Sequence, residues 1–210
     1  MVRTNLAPFF SLILVLLISS CTLGPREQAA PLTFLLNPEI SLGNPAAVRA
    51  PGSSGILLIT PLKAGPGFDT ARMAYLLRPY EINYYAFNQW ADTPARMLNR
   101  VITANLDKTG LWDAVVQTPG AIPTRFRLDC DDLILEQQFF SRPSRVRLAL
   151  RAQFVATQKP GIVDARYFEV FEEATSDDPY GGVLAANRAA ARLMTQLADW
   201  LGTIMRKKAP

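Results

Sequence analysis

The sequence predicts an α+β domain in which two helices pack on one face of a mostly antiparallel sheet. Apolar and polar residues alternate with a period of two through much of the second half of the chain, which indicates half-buried strands. Two other segments carry apolar residues at spacings of three and four, the period of a helix packed against a core. The second face of the sheet is then left to water or to a partner.

The first part of this domain is predicted to contain three strands. Gly55–Pro61 is a short apolar run typical of a buried strand. Met73–Leu77 and Glu81–Phe87 read as two strands joined by a turn at Arg78–Tyr80. Further upstream, Thr33–Leu36 predicts a short edge strand added to the domain.

The first helix has recognisable start and stop signals. Asp92 or Thr93 can cap its amino terminus, Pro94 suits its first turn, and Gly110 ends it. Leu111 and Trp112 are then expected to fold back as hydrophobic closure. The apolar stripe of this helix consists of Met97, Leu98, Val101, Ile102 and Leu106.

The second half predicts a series of strands followed by a long helix. The strands are Ala114–Gln117, Phe126–Leu135, Val146–Phe154 and Ile162–Glu172. If Leu133 and Leu135 point inward like Leu128, the strand must contain one extra residue at Asp131-Asp132. This predicts a β-bulge near Asp131. The final helix is expected from about Gly182 to Met205, starting near Asp178-Pro179. Its stripe consists of Val183, Ala186, Ala190, Leu193, Leu197, Trp200 and Ile204.

The amino terminus reads as an export signal. Arg3 precedes an apolar run, Phe9–Ile18, that is shorter than the roughly 20 residues needed to cross a bilayer. Ile18-Ser19-Ser20-Cys21 resembles the lipobox of bacterial lipoproteins, which implies acylation of Cys21 and cleavage before it. An ordinary exported protein with an incidental cysteine is the alternative. Thr22, where a retention signal would carry Asp, implies transfer to the outer membrane.

These signals divide the chain into three predicted parts. Residues 1–20 are the lipoprotein signal peptide, residues 21–54 a lipidated tether rich in Pro and Ala, and residues 55–206 the folded domain. Proline fixes φ and removes backbone donors, so the tether is expected to be mostly extended.

The amino-acid composition excludes several kinds of catalytic and metal-binding site. The net charge of +4 is mild and does not favour nucleic acid as a partner. The chain has no histidine, which excludes Ser-His-Asp and Cys-His machinery and histidine-liganded zinc. If lipid occupies Cys21, Cys130 is left without a disulfide partner and is expected to be a small buried hydrophobe. Asp129, Asp131 and Asp132 lack the glycine turn and terminal Glu of a calcium loop. We therefore predict no catalytic residue, cofactor or metal site.

The stretch Tyr84–Leu98, with Tyr75-Leu76 before it, resembles the auxiliary lipoproteins of ABC-type transport systems, in particular PqiC-like proteins. The matching feature is an aromatic-rich strand that runs into Trp-Ala-acid and then a Leu-striped helix. The resemblance spans roughly 55–205. It implies a partner with an MCE (mammalian cell entry) domain, lipid or hydrophobic-solute traffic between membranes, and a separate ATPase as the source of energy.

Two surfaces are candidates for partner binding. Arg145, Arg147 and Arg151 share one side of a strand and, together with Arg125 and Arg127, could form a basic strip across the exposed sheet. Ordinary solvated alternation is the alternative for this strip. The second candidate is an aromatic surface, although core packing is the expected fate of at least half of its members. Its residues are Tyr84, Tyr85, Phe87 and Trp90.

Taken together, the sequence predicts a non-enzymatic auxiliary lipoprotein. It would be anchored in the outer membrane, face the periplasm, and tether or dock an MCE-type partner. The alternative from a different class is a stand-alone structural lipoprotein that tethers the cell wall or an outer-membrane assembly machine.

Overall fold

The computed structural model describes residues 30–40, 55–117, 123–158 and 161–208. The predicted signal peptide, Cys21 and most of the tether lie outside the described residues. The described part contains eight strands and two helices. The strands are β1 (Leu32–Phe34), β2 (Ile56–Ile59), β3 (Arg72–Leu76), β4 (Ile82–Trp90), β5 (Ala114–Gln117), β6 (Phe126–Gln138), β7 (Arg145–Ala156) and β8 (Gly161–Glu173). The helices are α1 (Pro94–Lys108) and α2 (Pro179–Lys208).

The sheet is mixed, so the prediction of a mostly antiparallel sheet is wrong. β6–β7, β7–β8 and β3–β4 are antiparallel, whereas β1–β4, β2–β5, β2–β6 and β3–β6 are parallel. β2 and β3 lie one after the other along the same edge of β6 and run in the same direction. Ile59 pairs with Leu128 and Leu76 with Gln138, while Ala64 bridges Leu133 between them. Alternation within a strand predicts which side chains are buried but carries no information about the direction of its neighbour.

The β-bulge predicted near Asp131 is confirmed. Asp131 pairs with Arg151, whereas Ile134 pairs with Ala149. Between these two pairs β6 therefore contains one residue more than β7. Asp132 is that residue, with φ of 56°, a left-handed conformation that Asp tolerates better than most residues. The bulge keeps Leu128, Leu133 and Leu135 on the buried side.

The predicted ends of α1 are confirmed. The Thr93 hydroxyl accepts a hydrogen bond from the Arg96 amide at 3.4 Å, and Pro94 occupies the first turn. Gly110 has φ of 63° just beyond the helix, and Leu111 and Trp112 are buried behind it.

One hydrophobic core joins both helices to the sheet. The predicted stripes of α1 and α2 are buried in it with the inward side chains of β6, β7 and β8. α2 also contacts two outer strands of the sheet. Asn187 donates to the Leu35 carbonyl beyond β1 at 3.3 Å, and Arg192 donates to the Phe171 carbonyl of β8 at 3.4 Å. A short edge strand forms as predicted, but it is β1 at Leu32–Phe34, so it begins one residue earlier and ends two residues earlier than the predicted Thr33–Leu36. β1 pairs with β4 and lies next to α2.

Candidate functional site

The candidate site is the face of β6, β7 and β8 that points away from the core, called the outer face below. Because successive residues alternate across a strand, burial of Val146, Leu148 and Leu150 in the core turns the three predicted arginines to the opposite side. In the described part of the chain both helices pack on the core side, and no helix covers the outer face. Arg145, Arg147 and Arg151 therefore lie together on it, as predicted from the alternation.

Arg151 forms a two-pronged ion pair with Asp131 across the β6–β7 ladder. Its Nε donates to Oδ1 at 2.8 Å and its Nη2 donates to Oδ2 at 3.0 Å. The hydrogen bond from this guanidinium to the Asp131 carboxylate raises the pKa of Arg151. The acidic partner comes from the bulge, so the charge of Arg151 is balanced locally.

Arg147 lies between two carboxylates. Its Nε donates to Glu169 of β8 at 2.8 Å, and its Nη1 is 3.6 Å from Glu136 of β6, which is only 5% exposed. Partial burial lowers the pKa of Arg147 but the hydrogen bond to Glu169 raises it, and the net shift is upward. Arg147 also donates to the Tyr167 hydroxyl at 3.3 Å, which holds that ring on the outer face.

Arg145 links a polar group to an aromatic ring. Its Nε donates to Gln138 Oε1 at 3.0 Å, and its guanidinium lies 4.3 Å from the centre of the Phe171 ring. Phe171 and Tyr167 are both exposed. The outer face thus presents aromatic rings braced by arginines.

The positive charge of the predicted basic strip is offset by carboxylates to a greater extent than the sequence suggested. Arg127 pairs with Asp129 at 2.8 Å on the same face, in addition to the carboxylates that meet Arg147 and Arg151. The alternation alone predicts that Arg127 and Asp129 share a side of β6, but the acids beside Arg147 and Arg151 follow from the strand register, which the sequence did not predict.

Two of the four residues of the predicted aromatic surface pack into the domain, in line with the expectation that at least half of them would. Trp90 is 4% exposed and belongs to the core. Tyr85 is half-buried, with its ring tilted against that of Tyr75 at a centroid distance of 4.5 Å and its hydroxyl donating to Gln137. Tyr84 lies under the Arg72 guanidinium at 3.9 Å. Phe87 alone of the four is strongly exposed, at 56%. The aromatic run therefore mainly builds the fold, because β4 turns half of these rings toward β3, β6 and α2.

Tyr167 and Phe171 were missed as candidates although a signal was available. Both lie on one side of the strand predicted at Ile162–Glu172, and the register sets them opposite Arg151 and Arg147. The alternation in this strand places both rings on one side, but their position opposite the arginines depends on the pairing of β8 with β7.

The thiol and the acidic side chains of the described residues do not form a second candidate site. Cys130 is buried, and burial raises the pKa of its thiol to about 12, so it is poorly suited to act as a nucleophile. Within the described ranges, no group of three or more His, Cys, Asp or Glu side chains is arranged to hold a metal ion. Over the same residues, neither helix has the length and apolar character needed to span a membrane.

Comparison with known proteins gives a family match over most of the chain. Residues 39–198 match the model of a family described as the ABC-type transport auxiliary lipoprotein component. A search of curated protein sequences returned no significant match.

Solved structures share the fold. Protein XCC0632 from Xanthomonas campestris, a DUF330 protein, has a TM-score of 0.73 and 20% identity, with 83% of this chain and 97% of that chain covered. The hypothetical protein CT253 from Chlamydia trachomatis has a TM-score of 0.52 and 8% identity, with 74% and 99% covered. At these identities the likeness concerns the fold alone.

Proposed function

The chain belongs to the family of ABC-type transport auxiliary lipoprotein components, and we propose that it is a non-enzymatic docking subunit of such a system. It tethers the periplasmic, MCE-domain partner at the outer membrane and so serves lipid or hydrophobic-solute transport and envelope integrity. A separate ATPase supplies the energy.

The anchor in this proposal is the lipid at Cys21. The lipobox-like sequence Ile18-Ser19-Ser20-Cys21 supports it, together with the membership of a lipoprotein family. Several acyl chains hold a protein at a bilayer far more firmly than a single chain does. Thr22 supports the outer membrane as the destination, with the domain facing the periplasm.

The observation that carries the docking role is the composition of the outer face. Tyr, Phe and Arg are enriched in protein interfaces, where they often supply most of the binding energy. Phe171 and Tyr167 are exposed here, and Arg145 and Arg147 hold them in defined positions through short contacts. Side chains that are ordered before binding lose less conformational entropy on association.

The balance of charge on this face favours a protein partner of mixed charge over a strongly acidic one. Arg147 and Arg151 already contact carboxylates, so an acidic partner would have to compete with Glu169 and Asp131. Charges arranged in this way give specificity and orientation more than raw affinity.

The test is recovery of the partner with the lipidated protein and with two substituted forms. We expect an MCE-domain subunit to copurify with the wild type. Phe171→Ser combined with Tyr167→Ser should weaken capture by roughly 30-fold, the effect of losing about 2 kcal/mol at an interface hot spot. Tyr180→Ser is the matched control, because Tyr180 is an exposed aromatic residue on α2 rather than on the outer face.

Three results would contradict parts of the proposal. Equal loss of capture in the Tyr180 control and the outer-face variant would remove the outer face from the argument. Recovery of peptidoglycan or outer-membrane barrel proteins in place of an MCE subunit would instead support a stand-alone structural lipoprotein. Mass spectrometry showing an unmodified thiol at Cys21 would remove the anchor.

A further inference from the structure

A second exposed apolar surface lies at one end of the sheet, on the turns that follow β3 and β6. The turn that joins β3 to β4 carries Leu77, which is 58% exposed, and Tyr80, which is fully exposed. The turn that joins β6 to β7 carries Phe140, which is 42% exposed. Leu77, Tyr80 and Phe140 are called the aromatic tip below.

The two turns of the aromatic tip are held side by side by the sheet. Leu76 pairs with Gln138 at the ends of the parallel strands β3 and β6, and the Phe139 amide donates to the Leu76 carbonyl at 2.9 Å. Beneath them, the Tyr75 ring packs edge-on against Phe139 at 6.0 Å. The exposed side chains therefore project from a packed base.

Tyr80 occupies a backbone position that favours glycine. The Glu81 amide donates to the Arg78 carbonyl at 3.4 Å, Pro79 is the second residue of this turn, and Tyr80 has φ of 68°. This is the geometry of a type II turn, whose third position is normally Gly or Asn. A bulky residue at positive φ is strained, and such strain tends to be found at functional sites. The ring of Tyr80 gains no burial within the domain in return.

We propose that the aromatic tip inserts into the interfacial region of a phospholipid bilayer and so sets the orientation of the domain on the membrane. Tyr and Trp side chains are favoured at the level of the lipid headgroups, and apolar side chains such as Leu and Phe lie just below them. Arg78 and Arg142 flank the tip with largely exposed side chains, whose long stems can lie along apolar surface while their charges stay among the headgroups. Glu81 and Asp177 lie next to these arginines, so the apolar side chains provide most of the attraction.

The size and shape of the tip favour a bilayer over a protein partner. A specific protein interface uses about 20–30 residues from each side, whereas three large side chains on two adjoining turns form a small projecting surface. A contact of this size is weak by itself. It becomes effective when an anchor already holds the domain at the membrane, because the second contact is then intramolecular.

The part of the tether that precedes β1 is long enough to allow this contact. The contact rests on the proposed lipid at Cys21. The eleven residue-to-residue steps from Cys21 to Leu32 reach at most roughly 35–40 Å when fully extended. Leu32 pairs with Asn88, and the stretch of β4 from Ile82 to Asn88 spans roughly 20 Å. The anchor can therefore stay in the bilayer while the tip, at the start of β4, also reaches it.

The experiment uses the lipidated protein bound to vesicles of phosphatidylethanolamine and phosphatidylglycerol. An environment-sensitive fluorophore is placed in the tip through Ser141→Cys and, in a separate control, at the opposite end of the sheet through Ile162→Cys. Cys130 is buried and should not take up the label. We expect the emission of the probe at position 141, but not at position 162, to shift to shorter wavelength and to lose its quenching by iodide. Tyr80→Ser with Leu77→Ser should abolish the difference, and an unchanged circular dichroism spectrum would show that the fold is kept.

The outcomes separate the tip from the anchor. If the protein floats with the vesicles but both probes stay equally accessible to iodide, the inference is overturned while the lipid anchor stands. If the probe at position 141 becomes protected only when a purified MCE-domain partner is added, the tip is a protein contact and the inference is also overturned. If the protein does not float at all, the anchor fails and the inference fails with it.

Discussion

Gly182→Ala is expected to destabilise the domain, although alanine favours a helix. Gly182 lies in the first turn of α2, and a Cβ atom there would lie 2.3 Å from Oε1 of Gln137, far inside contact distance. Gln137 is not free to move aside because its Nε2 donates to Ser144 Oγ at 2.9 Å and to the Asp178 carbonyl at 3.2 Å. Its Oε1 accepts from the Tyr85 hydroxyl at 3.1 Å.

The change in the free energy of unfolding caused by Gly182→Ala follows from three opposing or additive effects. Replacement of glycine by alanine within a helix contributes at most about 1 kcal/mol of stability. Overpacking a filled site costs about 1–3 kcal/mol, and each buried polar group that loses its partner costs about 1–3 kcal/mol more. Ser144 and Gln137 are both buried, so displacing the Gln137 amide leaves at least one such group. We expect a net loss of about 2–4 kcal/mol.

Urea unfolding followed by circular dichroism on residues 22–210 measures this loss, and a double-mutant cycle identifies its cause. Gln137→Ala alone should also destabilise, because it removes the amide from the network. In that background, however, the steric conflict is gone, so adding Gly182→Ala should cost nothing or should stabilise the helix. Equal costs of Gly182→Ala in both backgrounds would refute the reasoning, as would stabilisation in the wild-type background.

Two further predictions concern titratable groups. Cys130 should react with a thiol reagent at pH 8 only after unfolding, because its thiol is buried and its pKa is raised to about 12; rapid modification of native residues 22–210 would contradict this. The Ser144 amide donates to Asp177 Oδ1 at 2.7 Å, and this hydrogen bond lowers the pKa of Asp177 below the ordinary value of 3.8. The ionised carboxylate is the stabilising form, so its contribution is complete above that value and is lost as the pH falls below it. The urea midpoint of the wild type should thus fall more between pH 6 and pH 3 than that of Asp177→Asn, and parallel falls would argue against the assignment.

Local elements could be predicted from the sequence because their signals are local. Thr93 and Gly110 mark the ends of α1 through capping and backbone chemistry that involve only nearby residues. The bulge at Asp132 could be predicted from the burial pattern alone, because Leu133 must return to the buried side after Asp131. Each of these inferences depends on period and propensity within one segment.

The direction and pairing of strands could not be predicted in the same way. The turn at Arg78–Tyr80 correctly implied the antiparallel pair β3–β4. No local sequence pattern shows that β2 and β3 both run parallel to β6. The charged neighbours on the outer face could not be predicted for the same reason. Arg147 was placed on the correct side, whereas its neighbours Glu136 and Glu169 follow from pairing across three strands.

The contacts of α2 bear on how a partner can be recognised. A strand at the edge of a sheet offers unpaired backbone groups to which another chain can add a strand. In this domain, Arg188 donates to the Glu173 carbonyl and Arg192 to the Phe171 carbonyl of β8, and both arginines pair with Glu172. The final third of β8 is therefore protected against strand addition by charged side chains from its own domain. Phe171 itself still presents its ring to the outer face, so recognition at this position would have to use the side chain rather than the backbone, which is why the Phe171 substitution is informative about docking.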